Sequence, residues 1–388
     1  MNANPASYRA VPAQVDFSEM EHAVLEYWRA EDTFTKSLER TAGAEPWTFY
    51  EGPPTANGQP GTHHIEARVF KDVFPRFKTM QGRHVERKAG WDCHGLPVEL
   101  AVEKELGFNG KPDIEAYGIE AFNAKCRESV SRHVDAFTEL TDRMGYWVNL
   151  DEAYWTMRPS YVESVWWALK QIFDKGLLVE NHRVAPFCPR CGTTLSDHEL
   201  AQGYEDVVDP SIYVRFPLTS GPLAGRASLL VWTTTPWTLV SNTAVAAHPE
   251  VDYVALSNGE ETLVVAEPLR ESALKQDEER PWTEVARFRG SEMEYWTYQR
   301  PLEVLDFPEA EGRDEVGLRS HFVVNATYVT TEDGTGLVHQ APAFGADDMV
   351  VCRSYGLPMV NPVSPEGTFD EELELVGGQF FKTANETI

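Results

Sequence analysis

Between residues 47 and 92 the chain reads as strand, loop, helix and strand, and this run constrains the fold more than any other feature. "WTFYEG", residues 47 to 52, is aromatic and β-branched, and Gly-Pro-Pro ends it. A Pro/Gly-rich loop occupies 53 to 61. From Thr62 onward Ile65, Val69, Val73, Phe77 and Met80 recur at three- and four-residue spacing, which predicts a helix. Pro75 lies inside that pattern and is expected to kink the helix or move its boundary; Gly82 is the expected stop. "HVERKAGWD" then supplies a second strand. Parallel strands need a long crossover, usually a helix, so this order predicts a βαβ unit of a parallel sheet.

A helix is also expected over 19–40, and further helical stretches over 96–107, 115–143 and 159–176, the last with a proline near its start and a glycine at its end. Near residue 180 the texture changes. Short β-rich runs such as "SIYVRFPL", "SLLVWTTT", "ETLVVAE" and "HFVVNATYVT" follow one another, separated by turn residues at the spacing of a barrel or sandwich. The predicted organisation is therefore α/β over residues 1–180 and a β-barrel-like domain over 181–388, in a chain of 388 residues long enough for two or three cores.

No stretch reaches the roughly 18 apolar residues of a membrane helix, and the N-terminus lacks the basic start and apolar run of a signal peptide. Five cysteines, two of them in Cys-x-x-Cys, suit a reducing compartment. A cytoplasmic protein is expected. A net charge of −27 argues against general nucleic-acid affinity. Arg68, Lys71, Arg76, Lys78, Arg83, Arg87 and Lys88 nevertheless crowd one window, which reads either as a solvated face or as a local phosphate-facing patch.

Five motifs carry chemistry. Gly61-Thr62-His63-His64 stands where the loop becomes a helix, and helix N-termini favour anions. Adjacent histidines diverge by about 100° on a helix, which favours phosphate contact from two sides over a shared metal. Simple capping is the plainer reading, since the Gly-Lys-Ser/Thr of a P-loop is missing. In "GWDCHGLPVE" Asp92 could hold an ammonium group, or merely cap the next helix. Cys188 and Cys191 have the spacing of half a zinc knuckle, with His198 and Cys352 as further donors; a redox pair is the runner-up. Thr233, Thr234 and Thr235 put hydroxyls at a strand end, and "GTGLVHQAPAFGADD" offers glycines, a histidine and two aspartates; each also reads as an ordinary edge or loop.

The wording and order of these motifs together resemble the isoleucyl-tRNA synthetases, a class I family: "YEGPPTANGQP", "KTMQGRHVERKAGWDCHGLPVE", "FCPRCGTTLS", "WTTTPWTL" and "GTGLVHQAPAFGADD". The tract "GWDCHGLPVE" points to the isoleucine enzyme over its valine and leucine relatives. The resemblance implies the first half of a Rossmann domain that joins isoleucine to ATP, with Mg2+, and passes the isoleucyl group to tRNA(Ile). It implies that Asp92 holds the α-ammonium of isoleucine, that Pro53 and Pro54 shape the pocket and that His64 meets the ATP phosphates. It implies that the second domain is an editing insertion that hydrolyses Val-tRNA(Ile). There Thr233, Thr234 and Thr235 line the site and Asp348 grips the ammonium, with its neighbour Asp347 the weaker candidate. A monomer that binds no membrane is expected.

Two departures stand out. The family signature is His-x-Gly-His, whereas here glycine and the first histidine have exchanged places, a form that resembles the family's second bacterial type. A working site with shifted loop backbone is expected. There His63 takes over the phosphate interaction that a glycine at position 61 cannot make, and inhibitors that mimic isoleucyl-adenylate are rejected. The chain also reaches only Ile388, ahead of the second Cys-x-x-Cys, the Lys-Met-Ser-Lys-Ser loop and the anticodon-binding domain that the resemblance implies. It is expected to be a fragment, with half a zinc site and no aminoacylation of its own. A stand-alone editing deacylase and an inactive binding paralogue are the alternatives.

Overall fold

A computed structural model describes residues 14–201, 203–275, 279–307 and 320–388. The chain divides into two units, Met1–Glu180 and Asn181–Ile388.

The first unit contains helices α1 (Phe17–Ala30), α2 (Thr33–Arg40), α3 (Thr62–Met80), α4 (Leu96–Leu106), α5 (Lys111–Tyr117), α6 (Ile119–Ser129), α7 (Val134–Arg143) and α8 (Pro159–Asp174), with strands β1 (Lys88–Trp91) and β2 (Asn149–Trp155). β1 and β2 are parallel, in register Gly90↔Tyr154 and Trp91↔Trp155. Beside them runs an extended strip held by two parallel bridges, Pro46↔His84 and Thr55↔Asp92. The strand expected over 47–52 does not form between these bridges. Side chains take the carbonyls that a ladder would use: Tyr154 Oη donates to Glu51 O at 3.1 Å and Lys71 Nζ to Gly52 O. Pro53 and Pro54 then remove two donors. Gly90 lets this happen, because a Cβ there would lie 2.3 Å from the Tyr154 ring.

α3 passes through Pro75 unbroken; the Thr79 hydroxyl donates to the Pro75 carbonyl at 2.9 Å. The helix expected over 115–143 is three helices. Gly118, at φ +106°, ends α5. The second break, after α6, turns His133 so that its N–H meets Ala56 O at 3.2 Å. That break thus tethers the Pro/Gly loop. The core beneath it gathers Ala56, Trp91, Val98, Phe137, Tyr146 and Val148.

In the second unit a hairpin of β3 (Phe187–Cys188) and β4 (Thr193–Thr194) leads to α9 (Asp197–Ala201). The strands β5 (Ile212–Pro217), β6 (Ser228–Thr233), β7 (Ala244–Ala247), β8 (Asp252–Ser257), β9 (Thr262–Ala266), β10 (Thr283–Arg289), β11 (Phe322–Asn325) and β12 (Leu337–Gln340) follow, with the short helices α10 (Arg270–Ala273), α11 (Ala346–Ser354) and α12 (Phe381–Thr387). They pair as a five-stranded sheet, β10-β8-β9-β6-β5, and a three-stranded sheet, β11-β7-β12. One core lies between the sheets, with Phe216, Leu229, Val231 and Val264 from the first and Val245, Val323 and Leu337 from the second. Residues 297 and 298 stitch two edges together through Leu218↔Tyr298 and Thr297↔Phe322. These are single bridges, and no closed ring of strands occurs among the described pairings. Alternation explains the outer faces: Ala244, Ala246, Phe322 and Val324 point away from the core and are covered by Cys352 and Leu357.

Candidate functional site

At the start of α3 the Gly61 N–H donates to His64 Nδ1 at 2.9 Å, so the third helical residue caps its own helix. Burial, then His63, Arg68 and Lys71, push the His64 pKa down and favour the neutral ring. With Nδ1 accepting, the ring proton sits on Nε2, available to an acceptor beyond the helix end. His63 folds back: its ring centroid is 3.8 Å from that of His64, and a Cβ on residue 61 would meet it at 3.1 Å. The glycine at 61 therefore makes room for the His63 ring.

The same strand ends hold Asp92. Its N–H donates to Pro54 O at 3.0 Å, and Thr55 Oγ1 donates to its carboxylate at 3.3 Å. The loop prolines and Asp92 are thus neighbours, where ligands gather in parallel α/β sheets. Behind them Glu51 pairs with Lys71 and accepts from Tyr146 Oη at 2.6 Å, a set that sequence reasoning missed because its members lie far apart in the chain.

Most of the basic window is buried or paired within the unit. Arg68 and Arg87 are buried, and burial pushes the Arg87 guanidinium down to about 10. Arg76 binds Asp72 through two hydrogen bonds at 2.8 and 2.9 Å, and Arg83 pairs with Glu45. Lys71, Arg76 and Arg83 thus have carboxylate partners, while Arg68 and Arg87 bond to the hydroxyls of Thr141 and Thr79.

In the second unit a cavity of about 300 Å³ is lined by Trp232, Thr233, Thr234, Thr235, Thr238, His339 and Asp348. β6 ends at Thr233, whose Oγ1 accepts the Thr235 N–H at 3.1 Å and so folds the threonine run into a tight turn. Asp348 sits in the first turn of α11, where Ala341 N–H donates to it at 2.8 Å. Burial pushes its pKa up, while that donor opposes the rise. Asp347 is exposed and does not line the cavity. At the back wall His339, the histidine of "GTGLVHQAPAFGADD", lies 2.7 Å from Thr238, a partner not singled out from sequence.

Cys188 and Cys191 share a tight turn closed by Gly192 N–H to Cys188 O at 2.8 Å. Their thiols interact; burial first and then Cys188 push the Cys191 pKa up. This geometry suits half a zinc knuckle. No third donor joins them: no cluster of three His, Cys, Asp or Glu suited to a metal occurs among the described residues. Cys352 is wholly buried in the apolar layer over β7 and β11, which corrects its expected role as a ligand. The side chain of His198 lies outside the described residues. No helix among the described residues is long and apolar enough to cross a membrane.

The family model described as tRNA synthetases class I (I, L, M and V) matches residues 23–332, and the chain belongs to that family. Among curated relatives, isoleucine–tRNA ligase of Streptomyces coelicolor is 71% identical over 381 residues, 98% of this chain and 35% of the relative. The corresponding ligase of Thermobifida fusca is 69% identical, covering 97% and 34%, and that of Thermus thermophilus is 49% identical, covering 96% and 34%. The chain thus spans about a third of the length of the curated relatives it matches.

Proposed function

We propose that this chain is part of an isoleucine–tRNA ligase that activates isoleucine with ATP and Mg2+, charges tRNA(Ile), and removes misattached valine by hydrolysis. The observation that carries the reading is the convergence of Thr233, Thr234, Thr235 and Asp348 on one cavity. Valine differs from isoleucine by one methylene, worth roughly 1–3 kcal/mol in a pocket; this enzyme class is the standard example of that limit. A second, hydrolytic site answers it. In this reading Asp348 holds the α-ammonium of the valyl ester and the threonine hydroxyls orient its carbonyl.

In the first unit Asp92 holds the ammonium of isoleucine, Pro53 and Pro54 shape the pocket floor, and His64 donates from Nε2 to the ATP phosphates. Gly61 and Thr62 bring backbone to the nucleotide, and His63, folded over residue 61, adds the second phosphate contact. The exchanged signature is read as the second bacterial type, with the parallel strands as the first half of a Rossmann sheet and the two β-sheets as a barrel-like editing insertion. Cys188 and Cys191 would supply two donors of a structural zinc site. A cytoplasmic monomer fits the composition. Isoleucine-dependent exchange of pyrophosphate into ATP by the full-length gene product tests the ligase reading. Exchange that depends on isoleucine and falls in Asp92→Ala is expected; none above background would refute it.

A further inference from the structure

Behind the threonine cavity lies a buried chain of polar groups. Tyr298 is 4% exposed, Asn242 1%, His339 7% and Thr238 5%. Tyr298 Oη donates to Asn242 Oδ1 at 2.7 Å. Asn242 Nδ2 donates to Ala244 O at 3.0 Å and lies 3.2 Å from His339 Nδ1. His339 Nε2 lies 2.7 Å from Thr238 Oγ1, and the Thr238 hydroxyl lies 2.8 Å from Thr235 O.

The direction of every link follows from the two ends. A carbonyl only accepts, so Ala244 O fixes the NH2 side of the Asn242 amide, and the tyrosine hydroxyl, able to donate or accept, donates to the oxygen left facing it. Nδ2 therefore donates to His339, and His339 Nδ1 must accept. Burial keeps this imidazole neutral, with its pKa pushed down to about 4, so its one proton is on Nε2. Nε2 donates to Thr238, and Thr238 passes its own proton to the Thr235 carbonyl. The Thr238 proton is thereby committed, and the Thr235 hydroxyl, 3.3 Å from both Thr233 Oγ1 and Thr238 Oγ1, keeps a proton that can turn into the cavity.

We infer that Tyr298, which does not line the cavity, is a positioning residue for it: through Asn242 it holds His339 as the Nε2–H tautomer and thereby keeps the Thr238 proton on the Thr235 carbonyl, fixing the turn that presents the threonine hydroxyls to a bound ester. This rests on the editing reading above. Without the hydroxyl, Asn242 Oδ1 loses its donor and the amide loses one of the two constraints on its orientation. A buried amide oxygen with no donor is costly, so the amide shifts toward another donor and draws Nδ2 off Nδ1; the ring proton is then free to move to Nδ1, and the Thr238 hydroxyl to turn toward Nε2 and away from Thr235 O.

The test is 15N imidazole NMR of His339 in the 388-residue chain, with valine release from Val-tRNA(Ile) measured alongside. The variants are Tyr298→Phe and Phe216→Leu, the latter altering the ring that packs on Tyr298 at 5.1 Å without touching its hydroxyl. The wild type is expected to show a protonated Nε2 and a bare Nδ1. Tyr298→Phe is expected to lose that single tautomer and about tenfold in kcat at unchanged KM, and Phe216→Leu to keep the tautomer. An unchanged tautomer in Tyr298→Phe, or equal disturbance by both variants, overturns the proposal. A wild type inactive on every aminoacyl ester overturns the editing reading instead, and the tautomer measurement still decides whether Tyr298 sets the ring.

Discussion

The two units build their sites in opposite ways. The second opens a small cavity to solvent, and the polar groups behind it are buried and hydrogen-bonded to one another. The first sets Gly61 and His64 at the start of α3 and Asp92 just after β1, and α3 leaves Phe70, Phe74 and Phe77 more than half exposed. A wall of buried, mutually bonded polar groups fixes which atoms a small ligand meets; a helix N-terminus offers backbone donors and charge to a larger one. The pairing suits a chemistry in which one site accepts a bulky nucleotide and the other discriminates a small side chain.

Acid should separate the units most. His339 and His321 both have pKa values pushed down to about 4 by burial, against 6.5 in the unfolded chain. Between these values the unfolded state binds more protons, so stability of the second unit is lost as pH falls through that window. His339 alone contributes up to about 3 kcal/mol. Asp348, with its pKa raised by burial, works in the opposite sense and offsets part of this. Urea titrations at a series of pH values, read by second-unit amide exchange, should show the loss, and His339→Gln should show much less of it.

Next comes Asp348→Ala. A charge-assisted contact to an ammonium is worth roughly 1.5–3 kcal/mol, so valine release should fall by about a hundredfold while the first unit stays intact. Gly90→Ala probes the other side. Its Cβ would enter the Tyr154 ring, and overpacking costs about 2 kcal/mol. Urea unfolding of the first unit should shift and that of the second should not; an equal shift in both would end the picture of two independent cores. Smallest is the exchange Gly61→His with His63→Gly in the full-length gene product. It should alter the affinity of adenylate-mimicking inhibitors about tenfold, the worth of one hydrogen bond, and isoleucine affinity far less. Equal changes in both would remove His63 from the nucleotide site.

The sequence shows elements better than it shows their partners. The apolar rhythm from Ile65 to Met80 marks α3, yet Ile65, Val69, Val73, Phe77 and Met80 stay exposed and the residues the helix buries are Arg68 and Pro75; the threonine run marks the end of β6. The strip at 47–52 has strand composition, yet Tyr154 and Lys71 occupy its carbonyls, and nothing local announces them. Gly118 was a visible break in the long helix; the pull of Ala56 on His133 was not. Arg68 and Arg87 look like surface charge because burial depends on the fold around them. Tyr298 lies 56 residues from Asn242, and only the bridges beside it bring the two together.

The most direct measurement is valine release by this chain, without ATP, from Val-tRNA(Ile) against Ile-tRNA(Ile). Release of valine well above the spontaneous rate, with Ile-tRNA(Ile) largely spared and Asp348→Ala silent, is the predicted result. Release no faster than in buffer, or the same for both esters, would contradict the assignment of the threonine cavity as an editing site.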